Sequence, residues 1–194
     1  MSLALRLDTH YTYADYLRWP EGVRYELIDG TAHAMGPAPL RIHQKVLLQI
    51  ARQVADALEG KPCEPYIAPF DVRLPQADEA DEQVDTVVQP DLVVVCDAAK
   101  LDERGCRGAP DWVVEVLSPA SASVDHIRKR ALYERAGVGE YWLVHPVDRL
   151  LTRYRRAGDR FGGAEILPLT GSTAVEVLPD VVIDWARVLP EAPA

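Results

Sequence analysis

The sequence has no apolar run long enough to cross a membrane and no signal segment at its N-terminus. Its longest apolar runs, such as Leu92 to Val95, are four or five residues long, whereas a transmembrane helix needs about 20. Cysteine is scarce too, with 3 residues in 194 and no pair at two-residue spacing. This scarcity argues against a zinc knuckle and a disulfide framework. We therefore expect reduced thiols and a cytoplasmic protein.

Basic charge is also in short supply. The 21 lysines and arginines face 30 aspartates and glutamates, a net charge of −9, which argues against binding nucleic acid by electrostatics alone. The charge is uneven, because residues 71–103 hold ten acids and two bases, whereas residues 125–160 hold nine bases and five acids. The basic segment could face phosphates. A solvated basic face balanced by an acidic loop is the alternative.

The rest of the composition is that of a globular protein, with 48% hydrophobic and 26% charged residues. A chain of 194 residues can bury enough apolar surface to form a core without a structural metal. Since no repeat, linker or low-complexity segment divides it, we expect one domain over residues 1–194.

Hydrophobic patterning predicts a mixture of strands and helices. Asp29-Gly30 is a hairpin signal, and apolar residues at helical spacing from Ile42 to Leu58 predict an amphipathic helix. Continuous β-branched runs at residues 92–95 and 112–117 are typical of central strands covered on both faces. The remaining predicted elements are helices over residues 12–17 and 121–136, a helical turn after residue 184, and strands at residues 24–28, 70–74, 141–144, 150–154, 164–167 and 174–178.

Two carboxylates interrupt the central strands. Asp91 precedes the first run and Glu115 stands within the second, where an isolated carboxylate is costly unless it is paired or binds a metal. If the strands are neighbours, the two carboxylates repel each other, and Mg²⁺ or Mn²⁺ makes both favourable. The alternative is that Glu115 pairs with an arginine or with Lys129, while Asp91 caps its strand.

Lys129 lies on the helix predicted after Glu115. Helical spacing places Asp125, Lys129 and Tyr133 on one face. A lysine beside metal-binding carboxylates could orient a water or stabilise charge that develops on a phosphate. A solvent-facing pair of Asp125 and Lys129 is the alternative.

Short motifs follow one another in a fixed order from about Tyr11 to about Val188. They are Tyr25-Glu26-Leu27-Ile28-Asp29-Gly30, His43, Gln89-Pro90-Asp91, Glu115-Val116-Leu117-Ser118-Pro119, Asp125, Lys129, Tyr133, Gly137-Val138 and Glu140-Tyr141-Trp142. Each motif is weak by itself. The ordered set resembles the Uma-type putative restriction endonuclease family, a domain of unknown function in the PD-(D/E)XK nuclease superfamily.

The resemblance implies an α/β fold, that is, an α+β mixed sheet flanked by helices with a restriction-endonuclease-like PD-(D/E)XK core. It implies that Asp91 and Glu115 are metal ligands and that the backbone carbonyl of Val116 completes the ligand set. The superfamily pattern places a lysine two residues after Glu115, where this sequence has Leu117. On the resemblance, Lys129 supplies the missing ammonium from the next helix.

Glu26 and His43 also match the family pattern. Glu26 would join the site as an additional acid or ligand, and the His43 imidazole would hydrogen-bond a phosphate or a metal-bound water. The alternatives are a surface position on a hairpin for Glu26 and a structural role at a helix start for His43.

Our first hypothesis is an endonuclease that uses Mg²⁺ or Mn²⁺ to hydrolyse DNA phosphodiester bonds. Asp91 and Glu115 would hold the metal and Lys129 would assist the attacking water. The basic segment from residue 128 to residue 160, including Arg153 and Arg155, would contact backbone phosphates.

Two other hypotheses remain open. One is a catalytically silent module of the same fold that binds nucleic acid or protein, which the acidic total and Leu117 favour. The other is a metal hydrolase that acts on a substrate other than nucleic acid. The resemblance also makes a homodimer plausible, because many nucleases of the superfamily pair to cut two strands.

Overall fold

The computed structural model describes residues 9–20, 22, 24–36, 38–117 and 124–189. Its helices are α1 (Tyr13–Tyr16), α2 (Arg41–Leu58), α3 (Val124–Ala136) and α4 (Trp185–Val188), with single 3-10 turns at Asp81–Gln83 and Ala98–Lys100. Its strands are β1 (Tyr25–Ile28), β2 (Thr31–Ala34), β3 (Glu64–Ile67), β4 (Val72–Arg73), β5 (Val87–Val88), β6 (Leu92–Val95), β7 (Leu101–Asp102), β8 (Gly105–Arg107), β9 (Trp112–Val116), β10 (Glu140–His145), β11 (Leu150–Ala157), β12 (Arg160–Phe161), β13 (Glu165–Pro168), β14 (Ser172–Ala174) and β15 (Val182–Asp184).

Local sequence signals explain several of these elements. Asp29 and Gly30 turn the β1–β2 hairpin with φ of 48° and 73°, the left-handed conformation that a two-residue hairpin turn requires. The apolar stripe of α2 is buried along its length, and α3 ends before Gly137, whose φ of 99° suits a helix C-terminus. The predicted hairpin and the first long helix are therefore confirmed, and the helix predicted over 121–136 is confirmed from residue 124 onward, because residues 121–123 lie outside the described residues.

Two main sheets form the fold. The first has the strand order β2-β1-β5-β4-β8-β7 and the second β12-β11-β10-β9-β6-β3, with β13 also paired to β11. In the second sheet β9 and β10 run parallel, whereas β6 and β9 run antiparallel. The mixed α+β architecture is thus confirmed, and the two β-branched runs are adjacent central strands.

The second sheet buries both of its faces, and its residues alternate between two apolar clusters. On β9, Trp112 and Val114 pack in the cluster that contains α2 and α4. Val113 packs in the other cluster, with Leu132 and Tyr133 of α3. Because side chains alternate along a strand, the position after Val114 faces α3.

The structure corrects two predicted strands. The segment predicted as a strand over 70–74 pairs only at Val72–Arg73, and the strand predicted over 174–178 instead covers Ser172–Ala174. Within the described ranges, no helix combines the length and apolarity needed to span a bilayer.

The prediction of reduced thiols is wrong for two of the three cysteines. Cys63 and Cys96 form a disulfide, while Cys106 is free and buried. The register of β3 on β6 pairs Glu64 with Val95. Cys63 and Cys96 therefore extend that pairing by one residue, which brings together thiols that lie 33 residues apart in sequence.

Candidate active site

Asp91 and Glu115 face each other across neighbouring strands. Leu92 pairs with Val114 in the antiparallel β6–β9 ladder, so one further step of the register sets Asp91 opposite Glu115. The backbone N–H of Val116 donates to Asp91 Oδ2 at 2.8 Å, which fixes this approach. Glu115 is contacted from α3 by Lys129 and Tyr133, whereas Asp91 is contacted by His43 of α2.

Glu115 is almost fully buried, at 8% exposure, and two donors from α3 hold one of its oxygens. Lys129 Nζ donates to Glu115 Oε1 at 3.0 Å and the hydroxyl of Tyr133 donates to the same atom at 3.1 Å. Burial raises the pKa of Glu115 to about 7 against the opposing ammonium of Lys129, and the charges of Asp91 and Glu26 add to the rise. Metal-free Glu115 is therefore poised between its charged and neutral forms near neutral pH.

Lys129 bridges two buried glutamates. Its ammonium is 2.9 Å from Glu26 Oε1 as well as 3.0 Å from Glu115 Oε1, and the residue is 6% exposed. The backbone N–H of Gln89 also donates to Glu26 Oε1, at 3.0 Å. Lys129 is thus held inside the pocket, and the alternative of a solvent-facing pair with Asp125 does not apply to its buried ammonium. The side chain of Asp125 lies outside the described part of the structure.

His43 holds the second carboxylate. Its Nε2 lies 3.0 Å from Asp91 Oδ2, a contact that requires a proton on Nε2 because an ionised carboxylate only accepts. Burial disfavours the charged imidazole, but the hydrogen bond and the negative charge of Asp91 outweigh burial, so the pKa of His43 is raised. His43 therefore interacts with the site through Asp91.

The three carboxylates share one pattern. Two donors converge on one oxygen of Asp91, of Glu115 and of Glu26. Within the part of the chain that the structure describes, no hydrogen bond reaches Asp91 Oδ1 or Glu115 Oε2. These two oxygens, on neighbouring strands, are available as ligands.

The donor set suits a hard divalent cation. Three carboxylates against one ammonium leave excess negative charge, and Mg²⁺ commonly binds through one or two carboxylates and keeps several waters. The described residues contain no cluster of three or more histidines, cysteines, aspartates or glutamates arranged to hold a metal, so a site that requires many side-chain ligands does not fit. Asp91 and Glu115, with the Val116 carbonyl beside them, fit an oxygen-coordinated Mg²⁺ or Mn²⁺.

A pocket of about 260 Å³ opens over these groups. Its wall combines the polar side chains above with Arg24 and with apolar residues from α2 and the β3–β4 connection. The lining residues are Arg24, Met35, Gly36, Pro39, His43, Gln44, Leu47, Ile67, Ala68, Pro69, Gln89, Asp91, Glu115, Val116, Leu117 and Lys129. Leu117 therefore sits in the wall where the superfamily pattern has a lysine, close to the Lys129 that enters from α3.

The structure brings Asp91, Glu115, Lys129, His43 and Glu26 together through a chain of hydrogen bonds, while their roles as metal ligands and catalytic groups stay predictions. It also realises part of the alternative, because Glu115 does pair with Lys129. The surface position considered for Glu26 is wrong, since that residue is 5% exposed.

Arg153 is a correction. It is buried and donates to Glu165 and to the carbonyl of Ala174, so its guanidinium is occupied by structural contacts around β11 and β13 and the phosphate contact predicted for it is not supported. Arg155 forms ion pairs with Glu165 and Glu176 but its side chain is 42% exposed, so its phosphate contact stays a prediction.

Two contacts escaped the sequence reasoning. One is the hydrogen bond of the Tyr133 hydroxyl with Glu115, for which the position of Tyr133 one helical turn after Lys129 was an available signal. The other is the pair of backbone donors, Gln89 N–H and Val116 N–H, which anchor Glu26 and Asp91. No side-chain pattern encodes backbone donors.

Comparison with known proteins agrees with this geometry. Residues 13–186 match the model of the Uma2 family, described as "Putative restriction endonuclease". An uncharacterized protein of Synechocystis sp., slr1290, is 27% identical over 148 residues, which cover 75% of this chain and 74% of that protein. The crystal structure of a putative nuclease belonging to DUF820 from Anabaena variabilis superposes with a TM-score of 0.72 at 17% identity, covering 92% of this chain and 97% of that one. That likeness shows the restriction-endonuclease-like fold.

Proposed function

The chain belongs to the Uma2 family of putative restriction endonucleases, and from this membership we propose that it hydrolyses phosphodiester bonds in DNA with Mg²⁺ or Mn²⁺. The observation that carries the proposal is the convergence of Asp91, Glu115 and Lys129 in one pocket. Glu115 is buried and Asp91 is partly buried, so the repulsion between their charges is costly. A divalent cation held by both carboxylates would relieve that cost.

Asp91 and Glu115 would hold the cation through their available oxygens, with the carbonyl of Val116 as a further ligand. When bound, a divalent cation supplies positive charge that polarises a phosphoryl oxygen and makes water a better nucleophile. His43 and the Val116 N–H keep Asp91 in place by holding its Oδ2.

Lys129 would act as the positive group beside the reacting phosphate. Its ammonium is fixed by Glu26 and Glu115, so it requires little reorganisation when charge develops on the phosphate oxygens. It can orient the attacking water or stabilise that charge. Glu26, whose Oε1 already receives donors from Gln89 and Lys129, serves as the anchor of the lysine.

Positive residues at the pocket would bind the DNA backbone. Arg24 lines the pocket, and Arg41 and Lys45 are exposed on the first turns of α2 beside the pocket residues His43 and Gln44. Phosphate contacts hold a nucleic acid in register. These residues replace Arg153 in that role.

A silent binding module is the second candidate, and one observation favours it. Glu115 is already balanced by the ammonium of Lys129 and the hydroxyl of Tyr133, so the pocket holds its charges in the metal-free state. A protein of this kind would bind DNA through the same positive residues and cut nothing.

Cleavage of supercoiled plasmid DNA distinguishes the two. We expect nicked or linear product with Mn²⁺ or Mg²⁺ and none with EDTA. Asp91→Asn and Glu115→Gln should lower the rate by a factor on the order of 10² or more, while Glu59→Gln, at an exposed position, should leave it unchanged. DNA binding without cleavage under every divalent metal would establish the silent module, and cleavage that survives in Glu115→Gln would remove this pocket as the active site.

A further inference from the structure

Tyr133 is a buried tyrosine whose hydroxyl contacts Glu115, one of the two proposed cation ligands. It lies on α3 one turn after Lys129, with 0% exposure. Its ring packs edge-on against Tyr141, with centroids 4.9 Å apart. A tyrosine hydroxyl in such surroundings needs a hydrogen-bond partner, and this one donates to Glu115 Oε1 at 3.1 Å.

The choice of oxygen is informative. Lys129 Nζ donates to the same Oε1 of Glu115, so both donors act on one side of the carboxylate. The χ3 angle of glutamate has a broad distribution, so rotamer preferences alone do not fix the orientation of the carboxylate. One donor leaves the carboxylate free to swing about that contact, whereas two donors that reach Oε1 from different residues restrict it. The restriction leaves Oε2 as the oxygen that a cation can bind.

Asp91 shows the same arrangement on the neighbouring strand. His43 and the Val116 N–H both reach its Oδ2, which leaves Oδ1 available. In each of these two carboxylates, a pair of donors therefore holds one oxygen. The other oxygen is left available to a cation. The Tyr133 hydroxyl thus holds Glu115 Oε1 in the way that the His43 imidazole holds Asp91 Oδ2.

We propose that Tyr133 is a positioning residue of the cation site, where its hydroxyl fixes the Glu115 carboxylate so that Oε2 is presented to a divalent cation. The inference rests on the proposed function for its ligand, but not on any catalytic rate. Residues that hydrogen-bond to a metal ligand and orient it typically contribute a factor of 10 to 100 in metal affinity.

A merely structural role makes a different prediction. If the hydroxyl only satisfies a buried hydrogen bond, its removal would lower the melting temperature of the metal-free protein and leave cation affinity unchanged. The two roles therefore separate in the metal affinity, not in the melting temperature.

Calorimetric titration with Mn²⁺ tests the proposal. Tyr133→Phe keeps the ring and removes the hydroxyl, and we expect its Kd for Mn²⁺ to rise about tenfold or more. The matched control is Tyr154→Phe, which removes a hydroxyl from a half-buried tyrosine that packs against Tyr141, Phe161 and Arg130. Its Kd should equal that of the wild type. In a Glu115→Gln background, Tyr133→Phe should cause little further loss, because the group it positions is gone.

Unfolding curves in EDTA accompany the titrations and verify that each variant is folded. A Tyr133→Phe protein that is folded and binds Mn²⁺ as tightly as the wild type overturns the positioning role. Wild-type protein that binds no Mn²⁺ at millimolar concentration overturns the cation site of the proposed function, and this inference with it. The first failure appears in the variant alone and the second in the wild type, so the two are distinguishable.

Discussion

Replacing Lys129 with methionine would leave Glu26 and Glu115 buried without the ammonium they share. The side chain keeps a similar length, so the change removes charge more than volume. Both glutamates and the lysine are less than 10% exposed. The loss in the free energy of unfolding therefore measures how strongly the pocket depends on the Lys129 ammonium.

The magnitude follows from burial and depends on pH. Removing one partner of a buried ion pair costs about 3 to 5 kcal/mol. Glu115 escapes part of that cost by binding a proton. Its folded pKa lies above the ordinary 4.5, so its contribution to stability is complete below about pH 4.5 and is lost as pH rises through about 7. Since Lys129 holds that pKa down, the variant shifts the loss to a higher pH and makes it larger.

Urea unfolding in EDTA at pH 5 and pH 8 measures the effect. We expect Lys129→Met to lose about 3 kcal/mol or more at pH 8 and less at pH 5, where Glu115 is protonated and only Glu26 has lost its ion-pair partner. The double variant Lys129→Met, Glu115→Gln should regain part of the loss at pH 8, and Lys45→Met, at an exposed position on α2, should lose little at either pH. Equal losses for Lys129→Met at the two pH values would refute the coupling of Lys129 to Glu115.

Three further predictions concern the charge, the DNA contacts and the cysteines. Glu115→Gln should flatten the fall in stability between about pH 4.5 and 7 and abolish the rise in melting temperature on adding Mn²⁺, as seen by differential scanning fluorimetry. Arg24→Ala should weaken DNA binding and reduce its salt slope by about 1 in fluorescence anisotropy, unlike Arg160→Ala at the far edge of the second sheet. Thiol titration of the denatured, unreduced protein should count one free cysteine, Cys106; three would contradict the disulfide.

The central part of the site could be predicted because its signals are local. Runs of β-branched residues indicated β6 and β9, and one acid stood out at each: Asp91 directly before the first run and Glu115 within the second. Helical spacing then put Lys129 and Tyr133 on one face of α3. Leu117 stands where the superfamily pattern has a lysine, and this difference directed attention to Lys129. The buried contacts of Lys129 with Glu26 and Glu115 show why a lysine from the next element can reach this pocket.

The parts that failed depend on which strands pair, which spacing along the chain does not encode. Cys63 and Cys96 meet because β3 lies beside β6, so counting cysteine spacings could not reveal their disulfide. Arg153 looked like a phosphate contact because it lies in a basic segment. The pairing of β11 with β13 places it opposite Glu165, and the ion pair there removes it from the set of available cations.

The central claim is that Asp91 and Glu115 share one divalent cation. The most direct measurement is anomalous diffraction from crystals soaked in Mn²⁺, which locates the ion without any assay of activity. The account predicts one strong peak in contact with Asp91 Oδ1 and Glu115 Oε2, and its loss in Glu115→Gln crystals. A peak bound elsewhere, or none between these carboxylates at saturating Mn²⁺, would contradict it.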